Sequence, residues 1–63
     1  MPSPVRFAEV ERLFRKHGWV LDRISSSHHI FKSPTGESYP VPVHGKRVKY
    51  GYFRTVKKIL GEP

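Results

Sequence analysis

The sequence predicts an α+β domain in which a helix, three antiparallel strands and a second helix follow one another (α-β-β-β-α), with both helices on one face of the sheet. Apolar residues recur with the helical period of 3.6 near both ends of the chain. Short segments rich in β-formers occupy the middle, separated by turn-forming residues. A chain of 63 residues has room for one such domain, so we expect residues 1–63 to form a single unit.

The first helix is predicted over residues 4–17. Ser3 can cap its N-terminus, and Pro4 suits the first helical position, where its missing N–H costs no hydrogen bond. Gly18 readily adopts the left-handed conformation that ends many helices. The stripe predicted to be buried consists of Phe7, Val10, Leu13, Phe14 and His17.

Three strands are predicted over residues 19–24, 28–32 and 38–43. The first two are joined by Ser25-Ser26-Ser27, a polar connection of three residues that is typical of a hairpin. The turn at 33–37 contains a proline and a glycine and returns the chain into the third strand.

The third strand is predicted to lie at the edge of the sheet. Pro40 and Pro42 lack a backbone N–H, and their spacing of two places both missing donors on the same side of the strand. Two helices can cover only one face of this sheet. We therefore expect the functional surface to include the open face and the loops at its rim.

The second helix is predicted to begin at Tyr50 or Gly51, after a basic loop at 44–49, and to end at Leu60 before Gly61. The face predicted to be buried consists of Tyr52, Phe53, Val56, Ile59 and Leu60.

The charge of the chain indicates a polyanionic partner. Twelve lysines and arginines against five aspartates and glutamates give a net charge of +7, which favours nucleic acid over a role in solubility alone. The absence of cysteine excludes disulfides and thiolate zinc sites. Because no apolar run is long enough to cross a bilayer and no secretory signal is visible, we expect a cytoplasmic protein without a membrane partner.

The histidine pair His28-His29, preceded by Ser25 to Ser27, is the strongest candidate for chemistry. Histidine exchanges protons near neutral pH, and a base that removes a 2′-OH proton can cleave an RNA phosphodiester without a metal ion. In a regular strand one of the two side chains faces the packed side of the sheet and the other the open side. The period alone does not decide which one is catalytic, and an ordinary pair of strand residues is the alternative.

The loop at 44–49 is the second candidate. His44 and Gly45 precede three cations, a composition suited to binding phosphate, although a solvated loop has the same composition. Arg54 and Lys58 share one face of the second helix, which can equally be a hydrated surface. Trp19, Tyr39 and Tyr50 could stack on bases; Trp19 fits a core position better and Tyr39 is the better exposed candidate. The four histidines lack the spacing of a helical metal-binding pair, so no metal or other cofactor is expected.

Several segments together resemble the HicA family over Phe7 to Gly61. They are Lys16-His17-Gly18-Trp19, Ser27-His28-His29-Ile30-Phe31, Val41-Pro42-Val43-His44 and Lys57-Lys58-Ile59-Leu60-Gly61. The combination of a Gly-Ser-x-His segment with a Val-Pro-x-His segment is fairly specific. The resemblance implies a fold similar to double-stranded-RNA-binding domains, ribonuclease activity on translated messenger RNA as the toxin of a toxin–antitoxin system, and neutralisation by the antitoxin HicB.

The resemblance also implies which histidine acts. The catalytic residue of Gly-Ser-x-His falls on His29, and His28 occupies the variable position. The RNA-binding residues expected around it are Ser27, His28, Lys32, His44, Lys46 and Arg47. Ser26 replaces the usual glycine, and a positive φ there would cost of order 1 kcal/mol and affect activity more than fold.

Two further functions are compatible with the sequence. The first is a module that binds RNA through the same basic rim without cleaving it, and the second is a domain that binds an acidic protein. Binding to a HicB-type antitoxin does not exclude catalysis, because an inhibitor is expected to cover His29 and the basic loop.

Overall fold

The computed structural model describes residues 3–62 and contains two helices and two antiparallel sheets. In chain order the elements are β1 (Val5–Arg6), α1 (Phe7–Lys16), β2 (Val20–Ser25), β3 (His28–Lys32), β4 (Ser38–Pro42), β5 (Arg47–Val48) and α2 (Tyr50–Leu60). The predicted α+β architecture, with two helices and a three-stranded antiparallel sheet, is confirmed. Among the described residues, no helix is long and apolar enough to span a bilayer.

The main sheet has the strand order β2-β3-β4, so β4 is an edge strand as predicted. Phe31 on β3 lies opposite Leu21 on β2 and Tyr39 on β4, which fixes the register of all three strands. The Val43 N–H donates to the Ser27 carbonyl at 2.8 Å, toward the β3 side. By the two-residue period, Pro40 and Pro42 turn their nitrogens outward, where no ladder bond is lost.

Both helices pack on the face of the sheet that carries Phe31 and Val41. The centre is aromatic: the Phe14 ring stacks on Phe31 with centroids 4.2 Å apart, and Trp19 lies 5.2 Å from Phe14. Trp19 is therefore a core residue, as predicted. The buried hydrophobic residues are Val10, Phe14, Trp19, Phe31, Val41, Val48, Val56 and Leu60.

The N-terminal end of α1 differs from the prediction. The helix begins at Phe7, not at residue 4, and its N-cap is Arg6 without a side-chain hydrogen bond, so Ser3 does not cap it. Val5 and Arg6 instead pair with Val48 and Arg47 in a two-stranded sheet. This pairing sets Val5 against buried Val48 and satisfies backbone groups that a cap alone would leave open.

Some other boundaries differ from the prediction by one residue, whereas β3 has the predicted bounds of 28–32. The first strand of the main sheet starts at Val20, with a bulge between Leu21 and Arg23, and continues to Ser25, which pairs with His28. The hairpin loop therefore has two residues, Ser26 and Ser27, rather than three. The third strand ends at Pro42, one residue early.

The bounds predicted for the second helix are confirmed, and Gly61 ends it in a left-handed conformation with φ of 74°. Its buried face is narrower than predicted, because Tyr52 is 41% and Ile59 46% exposed. Glu62 accepts hydrogen bonds from Lys16 and His17 and so ties the ends of the two helices together. The hydrogen bond from Lys16, more than that from His17, lowers the pKa of the Glu62 carboxyl.

Ser26 occupies the position of the glycine in the Gly-Ser-x-His segment. Its φ is 56°, so this position does require the left-handed conformation. A positive φ at the first residue of a two-residue loop is typical of a type II′ turn, which favours glycine there. We expect Ser26→Gly to raise the free energy of unfolding by about 1 kcal/mol, measured by urea denaturation. Ser27→Gly is the matched control: φ is not positive at Ser27, so this variant should not be stabilised. Equal responses of the two variants would contradict the prediction.

Candidate active site

The two adjacent histidines lie on opposite faces of the sheet, as the strand period predicts. His28 pairs with Ser25 and Pro42 and is exposed on the open face. His29 pairs with Ile24 and Val41, on the face that carries Phe31 and the helices, and is partly buried. The surface around His29 is therefore at the rim on the helix-covered side, and not on the open face.

The His29 ring packs against Phe7 at the start of α1, with ring centroids 4.5 Å apart and planes inclined by 53°. Its Nδ1 is buried and has no hydrogen-bond partner. A buried polar atom in a folded protein usually has a hydrogen-bond partner, so the unpartnered Nδ1 is an unusual feature of this residue. The ring also lines a cavity of about 540 Å³, which we call the His29 cavity; its walls are Arg6, Phe7, Ala8, His29, Lys46 and Arg47.

The basic side of this cavity is formed by a tight turn at residues 44–47. His44 and Arg47 exchange two backbone hydrogen bonds of 2.9 Å, and the two residues between them, Gly45 and Lys46, both have positive φ. This is the pattern of a type I′ turn, in which Lys46 occupies a position that normally favours glycine. The Lys46 carbonyl accepts the Phe7 N–H at 3.0 Å, which joins the turn to the start of α1.

The cavity is electrostatically uncompensated. Arg6 and Arg47 lie directly opposite each other in the β1–β5 pair, an arrangement of like charges that destabilises a sheet. No acidic side chain is among the cavity walls, and the ion pairs among residues 3–62 involve Arg15, Lys16, His17 and Arg23 instead. A bound anion would relieve the repulsion between Arg6 and Arg47.

The structure brings together only some of the residues predicted to bind RNA. Lys46 and Arg47 are in the His29 cavity. His28 and Lys32 are on the open face, with Lys32 three residues along β3, roughly 10 Å from His29. Ser27 lies in the hairpin loop, where its carbonyl accepts the Val43 N–H. His44 lines a separate depression with Pro42, Lys49 and Tyr52.

Arg6, Phe7 and Ala8 are cavity residues that the sequence did not indicate. The helix predicted over 4–17 includes all three in its interior, whereas the chain changes there from a short strand to α1. The Arg-Phe pair before a helical stripe carries no local signal for this change. Arg54 and Lys58 do share a surface, where they line a depression with Tyr50, Lys57 and Glu62 outside the His29 cavity.

Metal ligands are also not clustered. Within residues 3–62, no three histidine, aspartate or glutamate side chains lie close enough together to hold a metal ion.

Comparison with known proteins identifies the family. The family model described as "HicA toxin of bacterial toxin-antitoxin" matches residues 7–62. No curated protein and no solved structure shows a significant match to the chain. The matched segment covers nearly the whole chain, from the start of α1 to the residue that follows Gly61. The chain therefore belongs to the HicA family of toxins of bacterial toxin–antitoxin systems.

Proposed function

We propose that the chain is an endoribonuclease toxin in which His29 transfers the proton during cleavage of RNA phosphodiesters in the cytoplasm. The observation that carries the proposal is the His29 cavity itself. The partly buried His29 imidazole lines this cavity together with three basic residues, Arg6, Lys46 and Arg47. Family membership supports the toxin role independently of this geometry.

The proposed reaction uses the RNA's own 2′-OH as nucleophile. A base removes the 2′-OH proton, the oxygen attacks the adjacent phosphorus, and the bond to the 5′-oxygen breaks as that oxygen takes up a proton. The products are a 2′,3′-cyclic phosphate and a 5′-hydroxyl. His29 either accepts the first proton or delivers the last, because a single imidazole can perform each step.

The cations have a complementary role. The five-coordinate phosphorus carries more negative charge than the ground state, and Arg6, Lys46 and Arg47 would stabilise that charge in the cavity. His28 and Lys32 would contact RNA that passes over the rim to the open face. Ser27 and His44 would contact the RNA where it lies beside the hairpin loop and the turn at 44–47.

A toxin of this family has an antitoxin partner, and we propose that it is a HicB-type protein that covers the His29 cavity. An acidic surface would pair with the same three cations that bind phosphate. Inhibition would then result from competition with RNA for one site.

The test of the proposed function is cleavage by the purified chain of single-stranded RNA in the presence of EDTA. We expect products with cyclic-phosphate and 5′-hydroxyl ends, and no cleavage where the nucleotide on the 5′ side of the bond is 2′-deoxy. Expression in cells should arrest growth. RNA binding with salt-dependent affinity but without cleavage would replace the nuclease with a binding module of the same fold.

Lys46→Gly is expected to change protein stability and RNA affinity in opposite directions. Lys46→Gly relieves the left-handed conformation at φ of 62° and should raise the free energy of unfolding by about 1 kcal/mol. It also removes a phosphate contact, so RNA affinity should fall and the salt dependence should decrease by about one counterion. Lys46→Asn is the control: asparagine tolerates the left-handed conformation and carries no charge, so this variant also lacks the phosphate contact. A glycine variant that binds RNA as tightly as the parent would contradict the role of Lys46.

A further inference from the structure

A second surface of the structure combines tyrosine rings with basic residues. Between the outer edge of β4 and the first turns of α2 lie two depressions of about 340 and 70 Å³. Lys49 and Tyr52 line both of them, so the two depressions adjoin at these two residues. We call the pair of depressions the tyrosine groove; its walls are Tyr39, Pro42, His44, Lys49, Gly51, Tyr52 and Thr55.

The β4 edge of this groove is unsuited to receiving another strand. Pro40 and Pro42 turn their nitrogens outward and have no N–H to donate, so an added strand would lose bonds at both positions. A protein partner that extends the sheet is therefore disfavoured here. An occupant that uses stacking and charge, rather than a backbone ladder, fits this edge better.

The exposed chemistry of the groove suits an unpaired nucleotide. Tyr52 is 41% exposed although it lies on a helix that contributes to the core. Tyr39 is close to it, and burial together with the neighbouring Tyr52 phenol raises the pKa of Tyr39. Lys49 takes part in none of the ion pairs among the described residues, and no acidic residue is among the groove walls. Aromatic rings beside unpaired cations are typical of surfaces that bind single-stranded nucleic acid.

The tyrosine groove is connected to the His29 cavity through the turn at 44–47. His44 lines the groove, whereas Lys46 and Arg47 line the cavity. The two backbone hydrogen bonds between His44 and Arg47 hold these walls in a fixed relation. An RNA strand that crosses this turn would contact both.

We propose that the tyrosine groove binds an unpaired nucleotide of the RNA substrate adjacent to the cleaved position, with its base stacked on Tyr52 and its phosphate beside Lys49. The inference rests on the proposed function, since it concerns the same substrate. The inference requires that the bound RNA is single-stranded on at least one side of the cleaved bond, because a paired base cannot stack on a side chain.

The test measures binding of a 2′-O-methyl RNA of about 12 nucleotides, which cannot be cleaved through the 2′-OH, by fluorescence anisotropy. We expect Tyr52→Ala to weaken binding by about 5- to 150-fold and Tyr52→Phe to bind like the parent. Tyr50→Ala is the matched control. Tyr50 is 39% exposed on the same helix but lies outside the groove, so its loss should change affinity little. Thermal unfolding of each variant establishes that it is folded.

A scan with abasic nucleotides locates the stacked base. One abasic position should weaken binding by the parent and leave binding by Tyr52→Ala unchanged. The inference is overturned if Tyr52→Ala binds the RNA as tightly as the parent. It is also overturned if Tyr52→Ala loses binding to an acidic protein but keeps its affinity for RNA. Cleavage assays keep the two proposals distinct. If the parent cleaves RNA and Tyr52→Ala is unaffected, only the groove assignment fails; if the parent binds RNA without cleaving it, only the nuclease fails.

Discussion

Replacing His29 with alanine is expected to lower the rate of RNA cleavage by about 100- to 10,000-fold, the usual contribution of a general acid or base. The residual rate would come from the cations, which still stabilise charge on the phosphate. Because Arg6, Lys46 and Arg47 remain in place, RNA affinity should change much less than the rate. We therefore expect the effect mainly in kcat, measured with a fluorogenic oligoribonucleotide.

A second variant separates proton transfer from packing. Alanine removes the ring that contacts Phe7 at 4.5 Å and leaves space in a partly buried position. His29→Gln fills more of that space but cannot transfer protons near neutral pH. If His29 is catalytic, both variants lose cleavage although glutamine unfolds at nearly the parent temperature. A glutamine variant with parental kcat would remove His29 from the mechanism.

His28 provides the comparison on the neighbouring residue. It faces the open side of the sheet and is not among the His29 cavity walls. A loss in His28→Ala should therefore appear in KM, as a weaker RNA contact, with kcat retained. Equal losses of kcat in the His28 and His29 variants would indicate a general disturbance of β3.

The main elements could be predicted because their signals are local. The helical period of Val10, Phe14 and Val56 identified positions that the structure buries. The spacing of Pro40 and Pro42 identified an edge strand, because a missing N–H can only face away from a neighbouring strand. Gly61 ends α2 for an equally local reason, since a positive φ there costs glycine nothing.

The site could be predicted only in part because it depends on contacts between distant segments. The pairing of Val5 and Arg6 with Arg47 and Val48 involves two residues on each side, too short for a periodic signal. That pairing brings Arg6 beside Arg47 and carries the start of α1 to His29. By contrast, the face on which His29 lies follows from a local signal, because Phe31 two residues later shares that face and its burial requires the helix-covered side.

In the tyrosine groove, the local pattern predicts burial of a residue that the structure exposes. Tyr52 fits the helical period of the buried residues, yet it is exposed because the sheet ends at β4 and offers nothing to cover it. The period of a helix indicates which residues share a face. The extent of the neighbouring sheet decides how much of that face is covered.

Phe14→Ala is expected to lower the free energy of unfolding by about 3 to 5 kcal/mol, the usual effect of removing a buried aromatic ring. Phe14 has no exposed surface, and its ring lies 4.2 Å from that of Phe31 and 5.2 Å from that of Trp19, between centroids, so β3 and the segment that joins α1 to β2 lose a common neighbour. A domain this small buries only roughly 60% of the surface that its unfolded chain exposes, so its stability is marginal. The loss should therefore leave much of the chain unfolded at 37 °C, as measured by circular dichroism and urea denaturation.

Phe53→Ala is the matched control, since Phe53 lies on α2, is only partly buried and packs at the margin of the core. Its destabilisation should be clearly smaller, because part of the ring is already in water. Cooperative unfolding of Phe14→Ala at the parental midpoint would mean that the core does not depend on the Phe14–Phe31 stack. The comparison also bears on function: Phe31 precedes the end of β3 and lies two residues from His29, so whatever holds Phe31 against α1 also holds the imidazole at the cavity.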